Sequence, residues 1–120
     1  MSKGLPAIHR TTAEAVAKVV GVEYEPWMQD WPLEAADPVR IEKFLTCYAG
    51  ERDPDHRVAI AALITASLDD AFALSNPSKV LLDRARLVLK NYPDIVEYWS
   101  CLDAHTDDEM FHITPWIRTL

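Results

Sequence analysis

Two groups of side chains in this 120-residue chain could in principle do chemistry. Cys101, His105, Asp107, Asp108 and His112 bring soft and hard metal donors into one short stretch. Their spacing, C-x3-H-x6-H, matches no closed zinc pattern, and acids beside a histidine are common on an acidic surface. The second group, Asp53, Asp55 and His56 with Asp69 and Asp70 further on, resembles the ligand chemistry of metal phosphohydrolases but lacks the adjacent His-Asp pair that chemistry uses. Capping of a helix by Asp53 accounts for the first three without a metal. Nucleophilic catalysis would need Cys47, Cys101 or a serine set against His56, His105 or His112, with N–H donors aimed at an oxyanion. No G-x-S-x-G elbow exists, and glycines at 4, 21 and 50 alone cannot form a Walker loop or G-x-G-x-x-G. The sequence therefore predicts no catalytic residues, no metal site and no cofactor, with a metal-dependent enzyme built on Cys101, His105, Asp107 and His112 kept as an alternative.

Composition narrows the partners. Lys and Arg number 12 against 19 Asp and Glu, a net charge of −7, which repels phosphate backbones and anionic lipid and attracts basic surfaces. Nucleic acid is disfavoured. The N-terminus carries early positive charge without an apolar block of signal-peptide length, and later apolar runs are broken by charge before they reach spanning length. A cytoplasmic protein is expected, with no membrane segment and with Cys47 and Cys101 as reduced thiols filling the core.

The elements that would position these residues read as an all-α single domain over 1–120, of about five helices in antiparallel hairpins. Thr11 and Glu14 form a capping box, followed by Ala13, Val16, Ala17 and Val20 on one face until Gly21. From Pro38, the set Ile41, Phe44, Leu45 and Tyr48 repeats at helical spacing until Gly50. From Pro54 to about Leu74 the pattern is apolar nearly all round, so this helix should be central. From Pro77, Leu81, Ala85 and Val88 face inward while Lys79, Asp83, Arg86 and Lys90 make a solvated stripe. From Pro93, Ile95, Trp99 and Leu102 form the inner face, and a last turn begins at Pro115, capped by Thr114. Every second proline-marked start recurs after 38 or 39 residues, the period of HEAT-like stacked hairpins, although side-chain identity barely repeats.

Charge order is the most informative feature. Residues 19–39 hold five acids, Glu23, Glu25, Asp30, Glu34 and Asp37, and no Lys or Arg. Residues 91–117 hold six, Asp94, Glu97, Asp103, Asp107, Asp108 and Glu109, again without a cation. A charge run is often only a solvated face, but a cation-free window of this length also speeds encounter with a basic partner. The first window carries Trp27 and Trp31 in a segment without period, and rings of this kind anchor either cores or interfaces.

The last third of the chain, "LLDRARLVLKNYPDIVEYWSCLDAHTDDEMFHITPWIRTL", resembles the C-terminal part of small bacterial immunity proteins of contact-dependent growth-inhibition and related polymorphic toxin systems. A helix ends in Tyr98-Trp99, an acidic loop follows from Asp103 to Glu109, and then comes Phe111-x-Ile113-Thr114-Pro115. The resemblance implies a cytoplasmic protein that binds a cognate toxin domain, commonly a nuclease with a basic cleft, and blocks it, with no active site to carry over. On this reading Asp103, Asp107, Asp108 and Glu109, helped by Glu23, Glu25 and Asp69, form the acidic surface, and Trp27 and Trp31 supply the anchor. A helical scaffold or adaptor, whose binding would depend little on ionic strength, is the alternative.

Overall fold

The computed structural model describes residues 8–102 and 110–120. Among them the elements are α1 (Arg10–Val20), α2 (Trp31–Glu34), α3 (Ile41–Gly50), α4 (Pro54–Leu74), α5 (Lys79–Leu89), α6 (Pro93–Ser100) and α7 (Thr114–Ile117). The domain is all-α, and α2 and α7 are single turns, the second of them the turn expected at Pro115.

The middle of the molecule is α4. Ten consecutive residues, Ala59 to Leu68, are buried, so almost three turns of this helix touch no solvent on any side. Alanines at 59, 61, 62 and 66 let neighbouring backbones approach, and α1, α2, α3 and α5 all pack against it. Its two buried hydroxyls have partners. Thr65 Oγ1 donates to the Ala61 carbonyl at 2.8 Å, and Ser67 Oγ accepts the Asp37 N–H at 3.0 Å, tying the α2–α3 connection to the central helix. In a HEAT-type stack each unit contacts only its neighbours. Here four helices share one, and the 38–39-residue period is the length of the hairpins.

The amphipathic faces of the surrounding helices fall where the spacing puts them. Ala13, Val16, Ala17 and Val20 of α1 are buried, as are Ile41, Phe44, Leu45 and Tyr48 of α3. The charged stripe Lys79, Asp83, Arg86 and Lys90 lies on the exposed side of α5. Asp53 caps α4 by accepting the Asp55 and His56 N–H groups, and Ser78 caps α5 by accepting the Leu81 N–H.

The structure corrects several helix ends. α1 begins one residue before Thr11, its Ncap is His9, and neither Thr11 nor Glu14 makes the expected capping box. Pro38 lies in the turn that precedes α3 rather than in its first turn, and Gly50 is the last residue of α3 with no positive φ, whereas Gly21 ends α1 at φ +77°. Leu102 is exposed, because α6 stops at Ser100 and Cys101 turns the chain away in the left-handed region, at φ +48°. Arg118 then caps α6: its Nε donates to the Ser100 carbonyl and an Nη to the Cys101 carbonyl, both at 2.7 Å. Cys47 and Cys101 are both free thiols.

The C-terminal turn folds back onto the body as expected, by a different device. Thr114 is not the Ncap. Its buried hydroxyl donates to the Trp99 carbonyl at 2.8 Å and accepts the Phe111 N–H at 3.1 Å, while the N–H of the Ncap residue Ile113 is taken by Asp69 Oδ1 at 2.9 Å. Ile113 and Ile117 are fully buried, and Trp116 lies half-buried against Phe72.

Candidate partner-binding surface

The segment between α1 and α3 is irregular, yet it is fastened at many points. Trp31 is only 3% exposed, and its indole N–H donates to the Glu23 carbonyl at 2.9 Å. An indole buried with its N–H satisfied is a core anchor, so Trp31 is not presented to a partner. Its burial instead clamps the loop across eight residues. Within that loop the Met28 N–H bonds to the Glu25 carbonyl at 3.0 Å, and the Asp30 N–H to Glu34 Oε2 at 3.1 Å. Trp27, at the crest of this turn, is 71% exposed. Glu23 is exposed, and Glu25 is half-buried.

Beyond the clamp, Glu23, Glu34, Asp37 and Arg40 line an open cleft of about 280 Å³. The cleft is not purely acidic. Arg40 pairs with Asp37 at 3.3 Å and also bonds the Gly21 carbonyl, and Lys43 Nζ lies 2.8 Å from where a Cβ on Gly21 would stand. Gly21 is thus required for its backbone conformation, at φ +77°, while a Cβ there would ask only the flexible end of Lys43 to move.

Asp37 also belongs to a second neighbourhood. Asp70 has its carboxyl pushed above the usual range, first by burial and then by the charges of Asp69 and Asp37, with His112 acting in the opposite direction. Three carboxylates from two distant parts of the chain therefore share one field. Asp69 is not the outward contact residue expected from the sequence, since its Oδ1 holds the Ile113 N–H. Asp70, which follows it, is the exposed member, and sequence reasoning gave it no role in this surface.

Among the described residues the ion pairs are Lys18–Glu14, Arg40–Asp37, His56–Glu51 and Arg84–Glu42. Of the first cation-free window only Asp37 is paired, and Glu23, Glu25, Asp30 and Glu34 have no basic partner among the described residues. Asp103, Asp107, Asp108 and Glu109, the core of the expected acidic loop, lie outside the described residues, as does His105. Of the possible metal ligands, Cys101 and His112 are described, and among the described residues no three His, Cys, Asp or Glu side chains gather to hold an ion. His56 Nδ1 is instead bonded to Glu51 Oε1 at 2.9 Å. Among the described residues no helix is long and apolar enough to cross a membrane.

Comparison with protein-family models, curated proteins and solved structures returns no match. What this surface does has to be argued from its own residues.

Proposed function

We propose that the chain is a binding module that neutralises a basic protein partner, in the manner of an immunity protein against a cognate toxin domain. The observation that carries this reading is Trp27: a tryptophan 71% exposed, on a loop braced by the buried Trp31, inside a stretch without Lys or Arg. Holding a large ring in water is unfavourable unless something covers it, and bracing it beforehand removes part of the ordering cost of binding. The acids of the same stretch, Glu23 and Glu34 on the cleft, together with Asp70, which shares a field with Asp37, would steer a basic surface into place, and the ring would hold it there.

The test is kinetic. The partner to assay is the product of the adjacent reading frame, with association and dissociation followed separately. Reversing Glu23, Glu34 and Asp70 to lysine together is expected to slow association by roughly tenfold or more at low salt, with little change in dissociation. Trp27→Ala should do the opposite, weakening the complex by about 2 kcal/mol or more through faster dissociation. Unchanged rates in both variants would remove this surface from the account.

A further inference from the structure

On another part of the molecule, the end of α3, the start of α4 and the connection between α5 and α6 line an open cleft of about 340 Å³, within the size range of small-ligand sites. Its charged groups are of one sign. Arg52 and Arg57 both line it, in a protein whose net charge is −7. Neither arginine has an acidic partner among the described residues. Of the acids nearest in sequence, Glu51 is committed to His56 Nδ1 and Asp53 to the amides that open α4, and Asp55 forms an ion pair with neither arginine.

Arg57 is held with its donors unspent. Its guanidinium lies 4.6 Å from the centre of the Tyr48 ring, which fixes one face of the fork. Its Nε is shielded from solvent and has no acceptor among the described residues, so the terminal nitrogens are its polar atoms open to the cleft. Tyr48 and Tyr92, from α3 and from the residue before α6, meet hydroxyl to hydroxyl at 2.9 Å. Two phenols carry two protons, and the bond between them uses one. Burial, and after it the bond to Tyr48, raises the Tyr92 phenol well above its ordinary value, so it keeps its proton. One O–H therefore remains to donate, beside a guanidinium with free N–H groups.

We propose that this cleft binds a small organic oxyanion, a carboxylate or a phosphate ester on a flat apolar body, gripped by the Arg57 fork and the spare phenol hydroxyl. Arg52 closes the rim with charge, and the Tyr92 ring, Pro54 and Val58 supply the apolar wall. Charge-assisted bonds to a planar fork suit either group, and the two are separated by experiment.

The experiment is a two-dimensional NMR titration of the whole chain with phenyl phosphate, benzoate, inorganic phosphate and the neutral benzyl alcohol, following the Arg57 Nε–H and Val58 amide resonances. Saturable shifts with phenyl phosphate or benzoate are expected, the tighter of the two naming the oxyanion, with inorganic phosphate weaker and benzyl alcohol silent. Arg57→Gln should weaken binding by about tenfold or more, and the paired Tyr48→Phe, Tyr92→Phe variant, which removes both hydroxyls, by about two- to tenfold. Arg52→Gln, at the exposed rim, should cost about twofold and leave the fold untouched. Should Arg57→Gln fail to fold, the other two variants decide. No saturable shift with either organic anion, or full affinity in the folded variants, overturns the proposal.

Discussion

Asp69 and Asp70 are adjacent, chemically identical and put to opposite uses. Asp69 Oδ1 takes the Ile113 N–H and so belongs to the structure, while Asp70 is exposed next to two other carboxylates. The raised Asp70 carboxyl gives a signed prediction. A carboxyl raised in the folded state favours folding when protonated. Its contribution is present below the unfolded carboxylate value and is lost as pH climbs through the raised one. Asp70→Asn, which cannot ionise, is therefore expected to melt higher than the wild type at neutral pH. The difference should close below about pH 4, and thermal melts across that range check it. Tolerating this repulsion in the free chain is what a surface kept for a basic partner would require.

At the level of elements, the single turn α7 carries more weight than its length suggests. Its residues could not form a helix alone, because one turn fixes several dihedrals for one bond. It exists because Ile117 is fully buried, Asp69 holds its first amide, and Thr114 and Arg118 satisfy carbonyls at the end of α6. Truncation before Thr114 would strip all of these except the Asp69 bond and expose the core beneath Ile117. A loss of more than about 3 kcal/mol is expected, read by urea denaturation. An unchanged denaturation midpoint would mean the turn is dispensable and that Trp116, half-buried on Phe72, belongs to an interface.

For the molecule as a whole, the separation of charge matters more than its sum. Unpaired acids lie in the stretch that carries Trp27, Asp70 shares its field with Asp69 and Asp37, and two arginines line a cleft on other elements, α4 and the residues just before it. If the acidic side steers a basic partner, the association rate should fall steeply as ionic strength rises, since exposed charges are screened within about 10 Å at 0.1 M salt. A scaffold recognised through an apolar groove would show a nearly flat dependence. Stopped-flow measurement across a salt series separates the two.

The helices were legible in the sequence because burial of one face imposes a period that survives in linear order. Ala13 to Val20, Ile41 to Tyr48 and the unbroken apolar run through α4 are of this kind. So was the cation-free stretch around Trp27, since charge can be counted along the chain. Pairings across long separations were not legible, because no local pattern encodes them: Ser67 with Asp37, Asp69 with Ile113, Tyr48 with Tyr92, and Arg57 over Tyr48. Trp31 shows the limit most plainly. It and Trp27 stand four residues apart in one irregular segment with the same chemistry, and only the packing of that segment against α4 decided that one ring would be buried and the other left in solvent.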